Sequence, residues 1–199
     1  MTPSAACDAG QRLVRFVHLT DVQLADDESP LRVASLDARG STQSAFRPQE
    51  AHMCRVLSAM VRTINALPDI DLVLLGGDNI DNAQSNELDW FLGIMNGGKV
   101  DCDSGTDDDP LQGPSNDPKD PFVSAGLAVP WYWVTGNHDI MPQGTVPLTD
   151  DARGLAVGDT TELGTRDWSK PGGPVTSSKV IADARRALLG RHNLTARVG

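Results

Sequence analysis

The chain has 199 residues, of which 39% are hydrophobic, and this is enough for one ordinary folded domain. It carries 17 Lys and Arg residues against 27 Asp and Glu residues, so its net charge is -10 at pH 7. A charge of this sign argues against non-specific binding to nucleic acid or to an anionic membrane surface, and we expect neither as a partner.

Targeting signals and cysteine motifs are not apparent in the sequence. The first residues, MTPSAACDAGQRLVRF, lack the apolar segment of a secretion signal, and no stretch reaches the roughly 18 apolar residues of a membrane span. We therefore expect a soluble chain, and its compartment stays open. The cysteines Cys7, Cys54 and Cys102 include no CxxC pair, which disfavours a zinc knuckle. Cys54 is expected to be a packed thiol, and a Cys7 to Cys102 disulfide is left open.

The first part of the chain predicts the order strand, loop, helix, strand. Residues 12–20 (RLVRFVHLT) are rich in β-branched and aromatic residues and predict a short buried strand. Residues 22–47 show no sustained period and predict a long loop. Pro48 opens a helix whose apolar residues recur every three or four positions, and Pro68 ends it. Residues 72–75 (LVLL), followed by two glycines, predict a central strand.

The second part predicts one more helix, one more strand and much irregular chain. Residues 87–95 predict a helix, and residues 97–130, rich in Gly, Pro, Asp and Ser, predict an acidic insertion loop. Residues 131–135 (WYWVT) predict the third strand. Residues 141–179 predict turns, and residues 180–189 a last short helix. Strands that alternate with helices predict an α/β fold, in which ligands bind at the carboxyl ends of parallel strands.

A polar cluster follows each of the three predicted strands. The clusters are Asp21-Val22-Gln23, Gly77-Asp78-Asn79 and Gly136-Asn137-His138-Asp139. Their order and context resemble the calcineurin-like metallophosphoesterases, whose signature begins DxH and continues with GD and then GNHD. A GD pair alone is a weak signal, whereas GNHD after an apolar strand is specific. Together, in this order, the three clusters are a strong signal.

The resemblance implies a hydrolase of phosphomonoesters or phosphodiesters with a metallophosphoesterase-type αββα sandwich, of which residues 12–195 form the first half, with long irregular insertions. It also implies two divalent cations, which need a shared anionic ligand and hard oxygen donors. By resemblance, Asp78 bridges the two ions and Asp21 and Gln23 hold the first. The side-chain oxygen of Asn137 holds the second.

The resemblance also implies the chemistry, which in this family is attack on phosphorus by a metal-bound hydroxide. His138 is expected to protonate the leaving oxygen or to stabilise charge beside it, and Asp139 to orient its imidazole. Gln23 stands where most members of the family carry His. Because an amide oxygen is a harder ligand than an imidazole, this change favours manganese, magnesium or iron over zinc.

A second departure from the family pattern is the lack of the later histidines that complete both metal shells, the last two of which form a GHxH motif. In this sequence only His192 follows His138, and it is left unassigned. We therefore expect a domain that is incomplete at its carboxyl end. The alternative to an active enzyme is a non-catalytic fragment or metal-binding module. Such a chain is also expected to expose core surface and to self-associate.

Other polar residues have structural interpretations beside functional ones. Residues 101–109 form the densest acidic cluster and predict a solvated loop, with a lid over the site as the alternative. They lack the downstream Glu of an EF-hand calcium loop. Asp81 and Asn82 are candidates to support the site, to face substrate or to cap the next helix. His18 is expected to be structural, and His52 to be a solvated or partly buried helical residue.

Overall fold

The computed structural model describes residues 12–32, 48–166 and 175–198. Its helices and strands form the α/β fold that the sequence predicts. In chain order they are β1 (Phe16–Leu19), α1 (Met53–Asn65), β2 (Leu72–Leu75), α2 (Ser85–Asn96), β3 (Gly98–Val100), β4 (Phe122–Ser124), β5 (Trp131–Trp133), α3 (Asp150–Val157), β6 (Thr160–Arg166), β7 (Val175–Lys179) and α4 (Arg191–Val198).

The central sheet has the order β1-β2-β5, and both of its strand pairs are parallel. Helix α1 lies between β1 and β2 in the chain, and α2 lies between β2 and β5, so each parallel pair is joined through a helix, as parallel pairing requires. The pairs β3-β4 and β6-β7 are antiparallel hairpins outside this sheet. All three strands of the parallel sheet are predicted from the sequence, with β2 placed at the observed residues.

Helix α1 forms where the apolar period predicts it, after a short 3₁₀ helix over Pro48–His52. Its buried stripe includes Leu57, Val61 and Ile64, which pack into the core shared with the sheet and α2. Helix α2 is longer than predicted because it begins with a capping box, in which the side chains of Gln84 and Glu87 satisfy backbone N–H groups.

The two faces of the central sheet have different surroundings. On one face Val17, Leu19, Val73 and Leu75 pack against the helices, with Trp131 and Trp133 beside them. Trp133 meets Phe91 of α2 edge to face, with ring centroids 5.2 Å apart. On the other face Phe16, Tyr132 and Val134 remain 50%, 57% and 56% exposed. Parallel sheets are normally buried on both faces, so this bare apolar face is unusual.

The sequence predictions for the irregular regions miss several regular elements. The 97–130 segment contains the β3-β4 hairpin, and the 141–179 segment contains α3 and the β6-β7 hairpin. Residues 180–189 form no α-helix beyond a short 3₁₀ helix at Ala184–Arg186. The segment is held in place by an antiparallel β-bridge between Leu188 and Gln84 and by an ion pair between buried Arg186 and Asp26. No helix in the described parts of the chain is long and apolar enough to span a bilayer.

The cysteine prediction is also wrong. Cys54 of α1 is not a packed thiol but forms a disulfide with Cys102, which follows β3, and their Cα atoms lie 6.6 Å apart. This bond excludes the alternative Cys7 to Cys102 pairing, and Cys7 itself lies outside the described residues. The two cysteines are 48 positions apart in sequence, and no local pattern indicates that they pair. The disulfide ties α1 to the start of the acidic insertion.

The fully buried Glu87 holds the approach to α2 together. Its carboxylate accepts hydrogen bonds from the backbone of Asp26 at 3.1 Å, from the backbone and side chain of Asn82 at 2.8 and 2.9 Å, and from Gln84 N at 3.4 Å. Burial and the charge of Asp81 raise the pKa of Glu87 to about 8, and the bonds from Asn82 and Asp26 offset part of that rise.

Glu87→Gln should lower stability and remove one component of its pH dependence. The folded pKa of Glu87 lies above the ordinary value of 4.5. The contribution of this carboxyl group to the free energy of unfolding is therefore greatest below pH 4.5 and is lost as the pH rises toward 8. The glutamine is neutral throughout, but its amide group faces N–H donors and leaves them unpaired, at a cost of about 1–3 kcal/mol. Denaturant unfolding from pH 4 to 9, beside Asp89→Asn on the exposed side of α2, measures both effects. An unchanged pH slope in Glu87→Gln would contradict the prediction.

The bare sheet face should promote self-association, since exposed apolar patches of this kind commonly do. Replacing Tyr132 with Lys should reduce association, measured by sedimentation velocity, without unfolding the chain. Val123→Lys on β4 is the matched control, because Val123 is 75% exposed but lies outside this face. Both variants change the net charge equally, so a similar effect of the two would show that charge and not the sheet face is responsible.

Candidate functional site

The predicted polar clusters meet at one edge of the parallel sheet. Backbone pairing continues beyond β1 and β2, because Asp21 N donates to Gly77 O at 3.1 Å and Gln23 N donates to Asp78 O at 2.8 Å. The loop after β5 approaches the same place, since a Cβ added to Gly136 would lie 2.1 Å from Asp78 Oδ1. Glycine at this position therefore lets the β5 loop lie against the Asp78 carboxylate.

Three of the predicted metal ligands have left-handed backbone conformations. The φ angles are 54° at Asp21, 46° at Gln23 and 51° at Asp78. For residues other than glycine each such angle costs on the order of 1 kcal/mol, and it persists only where the surrounding structure fixes it. Here the hydrogen bonds between the β1 and β2 loops do so. Strained residues of this kind concentrate at functional sites.

His138 is held from two directions. Its backbone N–H donates to Asp78 Oδ1 at 2.9 Å. Its ring Nδ1 lies 3.0 Å from Asp81 Oδ1 and 3.2 Å from Asp81 O. An ionised carboxylate and a carbonyl only accept hydrogen bonds, so Nδ1 carries a proton whether the ring is neutral or charged. The hydrogen bond to Asp81, opposed by partial burial, raises the pKa of His138. Nε2 is then the nitrogen left for a substrate.

Asp81 is itself anchored on its other oxygen. Oδ2 accepts a hydrogen bond from Arg32 Nη1 at 3.0 Å, and Arg32 also pairs with Glu50 in the 3₁₀ helix that precedes α1. The side chains of all three residues are almost completely buried. Buried ion pairs need further hydrogen bonds to offset the desolvation of their charges. The Asp81 carboxylate is therefore most stable in the one orientation that keeps its bond to Arg32. That arrangement directs Oδ1 toward His138.

Asp139 does not orient the His138 imidazole, so this part of the sequence prediction is wrong. Its carboxylate instead accepts from Asn79 N at 2.8 Å, Ile80 N at 3.0 Å and Gly136 N at 2.8 Å. Burial raises the pKa of Asp139, while these backbone bonds act in the opposite direction. Asp139 therefore joins the β2 loop to the β5 loop, and the orienting role belongs to Asp81.

Asn137 is oriented by the turn that follows it. Its Nδ2 donates to Gly144 O at 3.1 Å, and its Oδ1 accepts no hydrogen bond from any residue that the structure describes. A Cβ on Gly144 would lie 2.2 Å from Asn137 Nδ2 and 2.6 Å from His138 Nε2, so only glycine fits there. The oxygen of Asn137 is thus the end available to a ligand, as the metal interpretation requires.

The residues at this edge are chemically suited to a divalent cation. Asp21 accepts one hydrogen bond, from Thr20 Oγ1 at 2.6 Å, and the other oxygen of its carboxylate accepts none within the described ranges. Asp78 likewise uses one oxygen, for His138 N. With the amide oxygens of Gln23 and Asn137, these carboxylates make a set of hard oxygen donors. Such a set could hold magnesium, manganese or iron.

The acidic insertion is not simply the solvated loop that the sequence predicts. Asp103 and Ser104 are buried, and Lys119 is buried beside them with its Nζ 2.5 Å from Glu28 and 3.1 Å from Asp27. Burial opposes the charge of Lys119, but the neighbouring carboxylates outweigh it and raise the pKa of this lysine. The insertion is therefore packed against the loop that follows β1.

Two further groups of carboxylates lie in this region. The oxygens of Glu28, Asp103 and Asp108 come within 4.8 Å of one another, as do those of Asp109, Asp117 and Asp120. Neither group includes a residue of the three polar clusters that follow β1, β2 and β5, the strand-end clusters. Lys119 Nζ already lies 3.5 Å from Asp103 and neutralises part of the first group.

The remaining histidines lie on exposed surfaces. His18 is exposed on the bare face of the sheet, where a Cβ added to Gly76 would approach its Nε2 to 2.5 Å. His52 is an exposed residue at the end of the 3₁₀ helix before α1, in agreement with the sequence interpretation. His192 is exposed on α4.

The sequence indicates Asp81 as a candidate without deciding its role, and it gives no indication that Gln143 and Gly144 lie at the site. Asp81 had a usable signal, because it follows Asp78 by three residues within the same loop. The turn at Pro142–Gly144 had none, since a PQG tripeptide is ordinary in a loop. Only the folded chain brings this turn against Asp81, Asn137 and His138.

Comparison with known families agrees with this geometry. The family model for calcineurin-like phosphoesterases matches residues 14–180, which is more than half of the chain and includes all three strand-end clusters. Comparisons with curated proteins and with solved structures gave no significant match. The chain belongs to the calcineurin-like phosphoesterase family, whose members are metal-dependent phosphoester hydrolases.

Proposed function

We propose that the strand-end site hydrolyses a phosphomonoester or a phosphodiester with the help of two divalent cations. In this proposal Asp78 is the shared ligand, Asp21 and Gln23 complete the first site, and the oxygen of Asn137 serves the second. His138 acts at the leaving oxygen. The substrate is defined only by its phosphoester group.

The observation that carries the proposal is the meeting of the three loops around the Asp78 carboxylate. The β1 loop is joined to the backbone of Asp78 by the bond from Gln23 N to Asp78 O, and the β5 loop contacts the carboxylate itself through the bond from His138 N to Asp78 Oδ1. A carboxylate in this position can be shared between two cations whose other ligands come from the loops on its two sides. Because the chain has a net charge of -10, bound cations are also the simplest way to attract an anionic phosphate.

The chain's own residues have separate tasks in this reaction. Bound divalent cations supply Lewis acidity and lower the pKa of coordinated water. Asp81 keeps the proton on Nδ1 of His138, so that Nε2 is the atom that faces the leaving group. When protonated, Nε2 donates to the departing oxygen, and the Asp81 carboxylate stabilises the charged ring. Asp139 fixes the two loops so that the distance between Asp78 and His138 is maintained.

The donor set also bears on the choice of metal. Two carboxylates and two amide oxygens match the preferences of manganese, magnesium or iron(II) better than those of zinc, which favours nitrogen and sulfur ligands. Gln23 is the residue responsible for this preference. We therefore propose one of the three harder cations as the resident metal.

Asp78→Asn should abolish metal-dependent hydrolysis, because it removes the shared negative charge. We expect the wild type to hydrolyse an aryl phosphate or its diester with added manganese, and the variant to be at least about 100-fold slower. Asp69→Asn is the matched control, since Asp69 also has a left-handed backbone, with φ 57°, but lies in an exposed turn.

A wild type no faster than Asp78→Asn would overturn the catalytic proposal while leaving the family assignment in place. It would support the alternative of a non-catalytic metal-binding module. Calorimetric titration with manganese would then show whether Asp78 still contributes to binding of the cation.

His138→Ala should slow hydrolysis most for substrates with poor leaving groups. A general acid contributes about 100- to 10,000-fold when the leaving oxygen is basic, and much less when it departs easily as an anion. Rates for an alkyl phosphate and a nitrophenyl phosphate, measured for His138→Ala and for the exposed control His52→Ala, test this. An equal loss on both esters in His138→Ala would exclude proton donation as its role.

A further inference from the structure

Gln143 makes an unusual number of contacts for a residue in a short turn. Its backbone N–H donates to Asp81 O at 3.1 Å. Its side-chain Nε2 donates to Asp81 Oδ2 at 3.0 Å and to Asn82 Oδ1 at 2.8 Å. All three bonds reach the loop that follows β2, and two of them reach the residue that holds His138. The side chain of Gln143 therefore acts on the site without belonging to any of the strand-end clusters.

The backbone of Gln143 is strained. Its φ is 52°, in the left-handed region, inside the 3₁₀ helix at Pro142–Gly144. Glycine adopts this conformation freely, whereas an ordinary L-residue pays to adopt it. A glutamine that occupies such a position must be held by its contacts. Here those contacts are the three hydrogen bonds to Asp81 and Asn82.

We propose that Gln143 is a positioning residue that acts on His138 through Asp81, and this inference rests on the proposed function. The two oxygens of the Asp81 carboxylate are used on opposite sides. Oδ2 accepts from Gln143 Nε2 and from Arg32, while Oδ1 faces His138 Nδ1. Gln143 and Arg32 together fix the rotation of the Asp81 carboxylate, so that its Oδ1 stays directed at the His138 imidazole. The Nε2 atom of His138 then stays directed at the substrate.

Two substitutions separate this role from mere anchoring of the turn. Gln143→Glu keeps the shape of the side chain but replaces the Nε2 donor with an oxygen that repels Asp81 Oδ2. Gln143→Gly removes the side chain and also relieves the positive φ. Removing the strain offsets the lost hydrogen bonds and the added freedom of the unfolded chain, so the unfolding midpoint of Gln143→Gly should stay within about 3 °C of the wild type.

The kinetic expectation follows from the position of Gln143. In both variants kcat should fall about 10-fold, as for other residues that orient a catalytic group, while KM changes little. The loss should be larger for an alkyl phosphate than for a nitrophenyl phosphate, because His138 is needed more for the poor leaving group. A variant that loses stability but keeps its kcat on both esters would overturn the proposal in favour of an anchoring role.

A second readout does not depend on activity. Isotope-labelled histidine NMR of the metal-free protein, in alkaline buffer where the ring is neutral, reports which ring nitrogen carries the proton. His138 is identified by the signal missing in His138→Ala. We expect the Nδ1–H tautomer in the wild type and a mixture of the two tautomers in Gln143→Glu.

The two readouts distinguish the possible failures. If the wild type shows no metal-dependent turnover, the proposed function fails, but a tautomer change in Gln143→Glu still establishes the positioning contact. If the tautomer of His138 is the same in wild type and Gln143→Glu, the positioning proposal is overturned whether or not the protein hydrolyses phosphoesters.

Discussion

The Asp139 carboxylate is the link between the two loops on which the site is built. It accepts backbone N–H groups from Asn79 and Ile80 after β2 and from Gly136 after β5. Asn79 and Ile80 are buried, and their N–H groups would otherwise lack a partner, which is costly in a protein interior. The link fixes where Asp78 and His138 stand relative to each other. The geometry of the site therefore depends on a carboxylate that does not contact the imidazole of the residue before it in sequence.

A second level of support lies behind the site and is made of buried charge. Arg32 joins Asp81 to Glu50, while Arg186 joins Asp26 to Ser104 of the acidic insertion. A network of this kind contributes less to stability than its number of ion pairs suggests, because every charge has been removed from water. Its value lies in specifying one arrangement of segments that are distant in sequence. The acidic insertion thus has a structural role beside the loop after β1.

Much of the fold follows from local sequence patterns. The apolar runs at β1, β2 and β5 and the stripe of α1 predict strands and a helix, because burial of one face or of both imposes a characteristic period. Segments without such a period, at residues 141–189, were predicted poorly. The extended chain near Leu188 exists because it bridges Gln84, and the Cys54–Cys102 bond joins residues with no local relation. Contacts of this kind have no signature in a single sequence.

The sequence by itself determined the family, the three strand-end clusters and the chemical character of their side chains, because these depend on residue type and on position after a strand. Only the tertiary structure decided which carboxylate serves His138. Sequence adjacency favoured Asp139, but the backbone carries its side chain to the amides of a neighbouring loop, and Asp81 reaches the imidazole instead. Gln143 likewise gained its place through folding, since hydrogen bonds between distant loops depend on where the backbone brings them together.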